Sequence, residues 1–299
     1  MRVLAWAAVV AVFVLMTVGN IVSATGSGLA CPDWPLCRGH LIPPFELDVL
    51  IEYGHRLTAG ATSLLLVGTL IATIRSRESP GARRVGIGLL VLLCVQIALG
   101  GVTVLLRLPN LISTLHLVTA LLILAGLLVL ASRSAPRPNH REVPDKIRRL
   151  ARSGLLVLLA QLALGGYVRH AGAGLACPDF PLCSGDVFPG HWLGVVHWVH
   201  RWLGVALLGF FVHVAIAARR TRVAGAAGVV AALAVLQVAL GITTVLLRLD
   251  PAIRTIHATV GYLLWASLVW LSLRVGCWDR ALASEAAPHA DRVGVAHAS

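Results

Sequence analysis

The chain has 299 residues, 58% of them hydrophobic and only 13% charged, a balance that excludes an ordinary soluble domain and makes lipid the solvent of its long apolar runs. The formal net charge of +12 lies mostly in short stretches between those runs, so membrane topology accounts for the basic residues and no nucleic-acid partner is expected.

Eight apolar segments follow in chain order, at 3–25, 52–74, 85–107, 111–132, 150–170, 194–218, 223–247 and 252–274, each near the ~20 residues that cross a bilayer. Val22-Ser23-Ala24 resembles a signal-peptide cleavage site, but the first segment has a counterpart later in the chain and is read as a retained span. Arg75, Arg77, Arg83 and Arg84 follow the second segment. Arg133, Arg137, Arg141, Lys146, Arg148, Arg149 and Arg152 follow the fourth, and Arg219, Arg220 and Arg222 the sixth. The alternate loops are poorer in positive charge. The positive-inside rule therefore predicts cytoplasmic termini and outward-facing loops 1, 3, 5 and 7. Cys31 and Cys37 fall in loop 1, and Cys177 and Cys183 in loop 5. On an oxidising side these pairs read as disulfides Cys31–Cys37 and Cys177–Cys183.

The chain repeats itself. Gly28-Leu-Ala-Cys-Pro-Asp-Trp-Pro-Leu-Cys37 returns as Gly174-Leu-Ala-Cys-Pro-Asp-Phe-Pro-Leu-Cys183, His55-Arg56 as His200-Arg201, and the stretch from Gln96 to His116 as that from Gln237 to His257. Each unit has four spans, an even number, so the copies lie parallel. The expected architecture is an all-α integral membrane protein of eight transmembrane helices in two tandem four-helix bundles. Residues 1–132 form the first and 153–275 the second, with a cytoplasmic linker at 133–152 and a disordered tail at 276–299.

Four histidines match across the repeat, His55 with His200 and His116 with His257, all near the outward ends of their spans. Asn110 and Asp250 are expected N-caps and Pro251 suits a first helical position, which puts His116 and His257 roughly 10 Å into their helices. A lone buried imidazole is usually an interhelical hydrogen bond. Four at one depth, paired across a repeat, suit two bis-histidine hemes better, and zinc would want a fuller N/S or carboxylate set. Two hemes toward the same face suit one acting on, or beside, the other rather than conduction across the bilayer. Arg56 and Arg201 are candidate propionate contacts. Arg107 and Arg248 read equally as propionate contacts or interfacial arginines.

The repeat breaks at Glu52, three residues before His55, where the second half has His197. One reading is a carboxylate favoured near a helix N-terminus. The other is an acid–base group beside a metal site, with chemistry in the first half and a fixed cofactor in the second. Gln96, Gln161 and Gln237, each in Gln-x-Ala-Leu-Gly, are read as amide hydrogen-bonding residues beside small residues that let helices pack closely. His40, His170, His191 and His213 lack repeat partners and are read as non-ligands.

Glu52-Tyr-Gly-His55-Arg, Thr114-Leu-His116, His197-Trp-Val-His200-Arg, Thr255-Ile-His257 and both Cys-Pro-Asp-aromatic-Pro-Leu-Cys loops together resemble the heme A synthase family, in its bacterial eight-helix form, across all eight spans. The resemblance implies oxidation of the C8 methyl of heme O to a formyl group for cytochrome oxidase biogenesis. Water is the implied oxygen source, through successive hydroxylation and loss of water from a gem-diol. It implies that His200 and His257 hold a permanent heme b, that His55 and His116 flank the substrate, and that Glu52 is essential. A heme O synthase and an electron acceptor are implied partners, and the cell membrane the location, with the heme sites extracytoplasmic. A diheme b-type electron-transfer cytochrome and a heme carrier are the competing readings. The Cys31/Cys37 pair braces a lid or is reduced and reoxidised during heme transfer, and both readings stand.

Overall fold

The computed structural model describes residues 2–76, 80–132 and 143–279. They form eight helices long and apolar enough to cross a membrane: α1 (Arg2–Thr25), α2 (Leu47–Arg75), α3 (Pro80–Leu105), α4 (Asn110–Ser132), α5 (Asp145–His170), α6 (Trp192–Ala218), α7 (Ala224–Leu246) and α8 (Pro251–Arg274). A short 3-10 turn at Ala173–Leu175 follows α5. Among the described residues the extended pairings are two isolated bridges, Cys37 with His40 and Cys183 with Asp186.

Several helices outrun their apolar runs. α2 begins at Leu47, not 52. α5 begins at Asp145, not 150, so part of the expected linker is helical. Asp145 places a carboxylate in the positive first turn of α5 and pairs with Arg148 at 3.0 Å. Hydropathy marks only the lipid-immersed part of a helix. The backbone ladder continues into the interface, where polar residues are tolerated. Asp250 caps α8 as expected, accepting from the amides of Ala252 and Ile253 at 2.9 and 3.1 Å. Asn110 is instead the first residue of α4, and Pro109 O accepts the first helical bond from Ser113. Residues 276–279 of the expected tail fold back on α8, Trp278 Nε1 donating to Ser272 Oγ at 2.7 Å; 280–299, like Arg77 and the linker segment 133–142, lie outside the described residues.

In the first half α1 packs on α2 and α4, and α3 on α2 and α4. In the second α5 packs on α6 and α8, and α7 on α6 and α8. The halves meet through α1, α4, α5 and α8. Asn20, near the end of α1, meets Arg169, near the end of α5, so those helices run parallel. Trp6 packs on Trp270 with ring centroids 6.1 Å apart, which brings the start of α1 and the end of α8 to one face. Leu121, Leu124 and Leu127 of α4 and Leu268 and Leu271 of α8 are fully enclosed. Many hydroxyls in the spans bond back to their own helix, as Thr69 Oγ1 does to Leu65 O at 2.8 Å, while those of Ser113 and Thr259 are buried without a partner. Trp265 Nε1 donates to Leu121 O at 2.9 Å across the interface between halves. Trp265→Phe keeps the ring's bulk and removes that bond. We expect a loss of about 1 kcal/mol or less, read as a lowered thermal midpoint in detergent.

Candidate functional site

Each of the four repeated histidines rests on a glycine of the helix before it. A methyl built on Gly19 would stand 2.9 Å from His55 Cε1, on Gly100 3.2 Å from His116 Cε1, on Gly165 2.7 Å from His200 Cε1, and on Gly241 3.1 Å from His257 Cε1. Only a residue without Cβ lets the imidazole edge lie against the neighbouring backbone this closely. The rings are thereby held inside the bundle rather than swung toward lipid. His55 and His116 are near enough for their charges to interact, and so are His200 and His257. The four ring Nδ1 atoms are buried with no protein hydrogen-bond partner.

Glutamines complete three of these seats. Gln96 Nε2 lies 3.3 Å from His116 Nε2 and Gln237 Nε2 3.5 Å from His257 Nε2, while Gln161 Nε2 donates to His200 O at 2.8 Å. Gln-x-Ala-Leu-Gly is therefore a histidine-seating element: its glutamine meets the imidazole or its backbone, and its glycine supports the ring. Amide hydrogen bonds and close helix packing were the sequence expectation, and both are present; that the amides meet the histidines is the addition, for which the recurrence of the motif before His116, His200 and His257 was the available signal.

His200 and His257 face a common cavity of about 300 Å³ between the second-half helices, largely apolar in lining. Phe180 of the outer loop reaches its wall. In the first half Trp34, at the matching position, lies over α3, 3.2 Å from a methyl built on Gly101.

The outer loops are two copies of one device. Cys31–Cys37 and Cys177–Cys183 are disulfide-bonded. Arg38-Gly39 and Ser184-Gly185 both take positive φ, forming two-residue hairpin turns closed by paired backbone bonds between Cys37 and His40 and between Cys183 and Asp186. Asp33 accepts from the amides of Arg38 and Gly39 at 2.6 and 2.7 Å, and Asp179 from Ser184 and Gly185 at 2.7 and 3.0 Å. The Gly39 amide, then that of Arg38, holds the Asp33 carboxyl below the usual carboxylate range. The Ser184 and Gly185 amides do the same for Asp179.

Arg56 and Arg201 point at these loops. Arg56 donates to Asp33 O, Leu36 O and Cys31 O at 2.6–2.7 Å, and to Glu52 Oε1 at 2.6 Å. Arg201 donates to Asp179 O, Leu182 O and Cys177 O, and its Nε to His197 Nε2 at 3.1 Å. Glu52, 3% exposed, accepts from the Cys31 amide at 2.7 Å, and in the matching place His197 Nδ1 lies 3.4 Å from the Cys177 amide nitrogen. Glu52 and His197 thus fill one structural slot, tying the arginine to the first cysteine of the loop. The guanidiniums considered for propionates are committed to loop carbonyls. Arg107 and Arg248 are exposed and in left-handed conformation at the ends of α3 and α7.

Sequence reading missed Asn20, Arg169 and Arg254. Arg169 donates to Asn20 Oδ1 and to Asn20 O at 2.9 Å, Arg254 donates to Ala24 O, and both arginines line the second-half cavity. Asn20 Nδ2 also donates to Thr255 O at 3.0 Å. These residues break the repeat, which was their signal. His170, set aside in the sequence, lies within electrostatic reach of His116, and His191 caps α6 through Gly194 N.

The profile of the COX15-CtaA family, cytochrome oxidase assembly protein, matches residues 2–50 and 45–269. This chain belongs to the COX15-CtaA family. A relative named Heme A synthase from Rhizorhabdus wittichii is 32% identical, the match covering 87% of this chain and 90% of the relative. Relatives of the same name from Alkalihalophilus pseudofirmus and Bacillus licheniformis are each 28% identical, covering 88% and 91% of this chain and 93% and 94% of theirs. The match runs through all eight spans of this COX15-CtaA chain up to residue 269 and takes in both disulfide loops and every seated histidine.

Asp33 generates a pH prediction. Its carboxyl is depressed in the fold, so its support for the hairpin turn is complete above the unfolded value near 4 and is lost as pH falls through the lower folded value. Asp33→Asn should reproduce that loss at neutral pH. Hydrogen exchange at the Arg38 and Gly39 amides, corrected for intrinsic rates, should lose protection in the variant and, in the parent chain, only below about pH 4.

Proposed function

We propose that this chain is a heme A synthase, oxidising the C8 methyl of heme O to a formyl group with water as oxygen source. Family membership supports the assignment to heme A formation for cytochrome oxidase. The observation that carries the residue assignment is the twice-repeated pair of buried imidazoles, each seated on a glycine, with Nδ1 unpartnered. These donors, and the apolar cavity that His200 and His257 line, suit a heme whose iron the two imidazoles would ligate. His200 and His257 hold a resident heme b, which supplies a one-electron couple when bound. His55 and His116 flank the substrate heme in residues 1–132.

The remaining residues orient and enclose. Glu52 sits one helical turn from His55, fixed by Arg56 and the Cys31 amide, with lone pairs left on both oxygens to accept a proton from water at the substrate's edge. Methyl to formyl takes up one water and releases four electrons and four protons, so an acceptor outside this chain completes the balance. Trp34 and Phe180, carried on the disulfide loops, shield the two sites. Arg75, Arg83, Arg84, Lys146, Arg148, Arg149, Arg152, Arg219, Arg220 and Arg222 lie at the face of the chain termini, which we assign to the cytoplasm, so hemes and disulfides face outward across a cell membrane. Heme O synthase is the natural source of substrate. Cys31–Cys37 we assign as a brace, because Asp33, Arg56 and Glu52 already hold the same loop.

A diheme b-type cytochrome is the second reading, favoured by one observation: Glu52 stands in the same place against its loop as His197, so a mechanical role accounts for its position without a base. Heme extraction with mass analysis separates the two. Heme O, heme A or a hydroxylated intermediate beside heme b is expected; heme b alone in both halves would make the chain a cytochrome. Glu52→Gln, which keeps one acceptor for the Cys31 amide, should abolish product yet keep the second-half heme. Normal turnover there removes the acid–base role. Gly165→Leu should displace His200 and lose the bis-histidine Soret signal of the second half while leaving that of the first.

A further inference from the structure

Arg169 and Arg254 are half-buried near the outer ends of two apolar spans, and a cation there needs a counter-charge or a dense set of acceptors. Neither has one in full. The described residues provide Asn20 and backbone carbonyls but no carboxylate paired with either guanidinium. Both Nε atoms are enclosed without a partner, and the two guanidiniums are close enough to repel. Like charges held together in one apolar cavity indicate that an anion belongs between or beside them.

Their register says where that anion lies. Arg254 precedes His257 by three residues and Arg169 follows Gly165, the seat of His200, by four. Each arginine is therefore on the same helix face as its heme-side partner, about 4.5–6 Å farther toward the outer loops. Both line the cavity that His200 and His257 face.

The first half lacks this feature. Where Gly19 aligns with Gly165, Ser23 stands in place of Arg169. Where His116 aligns with His257, Ser113 stands in place of Arg254, its hydroxyl buried and unpartnered. We propose that Arg169 and Arg254 form a carboxylate clamp for the propionates of the heme resident in the second half, and that Ser23 and Ser113 leave the first half without one. The inference rests on the bis-histidine reading above. It gives the two halves a physical reason to differ: one holds its heme by charge and ligation together, the other by ligation and apolar contact, which suits a group that must leave.

The test uses the full chain in a His55→Ala background, so that the signal comes from the second half. It is loaded with iron protoporphyrin IX or with its dimethyl ester, and heme release to excess apomyoglobin is followed at the Soret band. The parent should release the ester about tenfold faster or more than the diacid, as expected for lost charge-assisted hydrogen bonds. In Arg169→Gln/Arg254→Gln that ratio should fall to near one, and in the Lys/Lys variant it should partly recover. A purely structural role, docking α5 and α8 onto α1, would speed release of both compounds alike and leave the ratio unchanged, which overturns the clamp. Arg254→Gln alone, which loses a single backbone bond to Ala24, gives the same readout if the double variant fails to fold. A parent chain whose Soret band survives His257→Ala would instead remove the ligand assignment, independently of the arginines.

Discussion

Four imidazoles buried in a lipid-solvated bundle constrain the rest of this structure. Each must be kept off the lipid face, oriented, and left with a ring edge free. A glycine on the preceding helix does this in all four cases, letting backbone and ring meet at van der Waals distance. The helix pairs α1/α2, α3/α4, α5/α6 and α7/α8 are thus one structural unit used four times, and the two-copy sequence repeat contains a finer four-fold one. Gln-x-Ala-Leu-Gly marks three of the four. α1 has Gly19 without the glutamine, since Leu15 stands in its place.

The outer loops build on that frame. A disulfide, a two-residue turn and an aspartate make each loop rigid in itself, and an arginine one position after a seated histidine pins it to the bundle. The pin needs an acceptor, supplied by Glu52 in one half and His197 in the other. This accounts for two different residue types in equivalent places: both accept from the arginine, and Glu52 also accepts from the loop amide, which an imidazole already accepting at Nε2 cannot do. Only the carboxylate adds negative charge and keeps spare lone pairs, so the halves share mechanics but not chemistry.

Asymmetry concentrates where the halves touch. Asn20, Arg169, Thr255 and Arg254 join α1 to α5 and α8 near the outer loops, while Trp265 joins α8 to α4 deeper in the bundle. The same guanidiniums that dock the halves line the second-half cavity, so any group held there and the inter-half contact would draw on shared side chains.

Eight spans, their parallel repeat, the disulfide loops and the four histidines were legible in the sequence, because hydropathy, periodicity and duplicated motifs are local or self-similar signals. Helix starts at Leu47 and Asp145 were not, since polar first turns carry no hydropathy. The roles of Arg56, Arg201, Arg169 and Arg254 were not either. A guanidinium sits on a long, flexible stem and can reach a loop carbonyl, a neighbouring helix or a cofactor from one position. Which of these it meets is set by the packing of helices distant in sequence, and only the folded chain decides that.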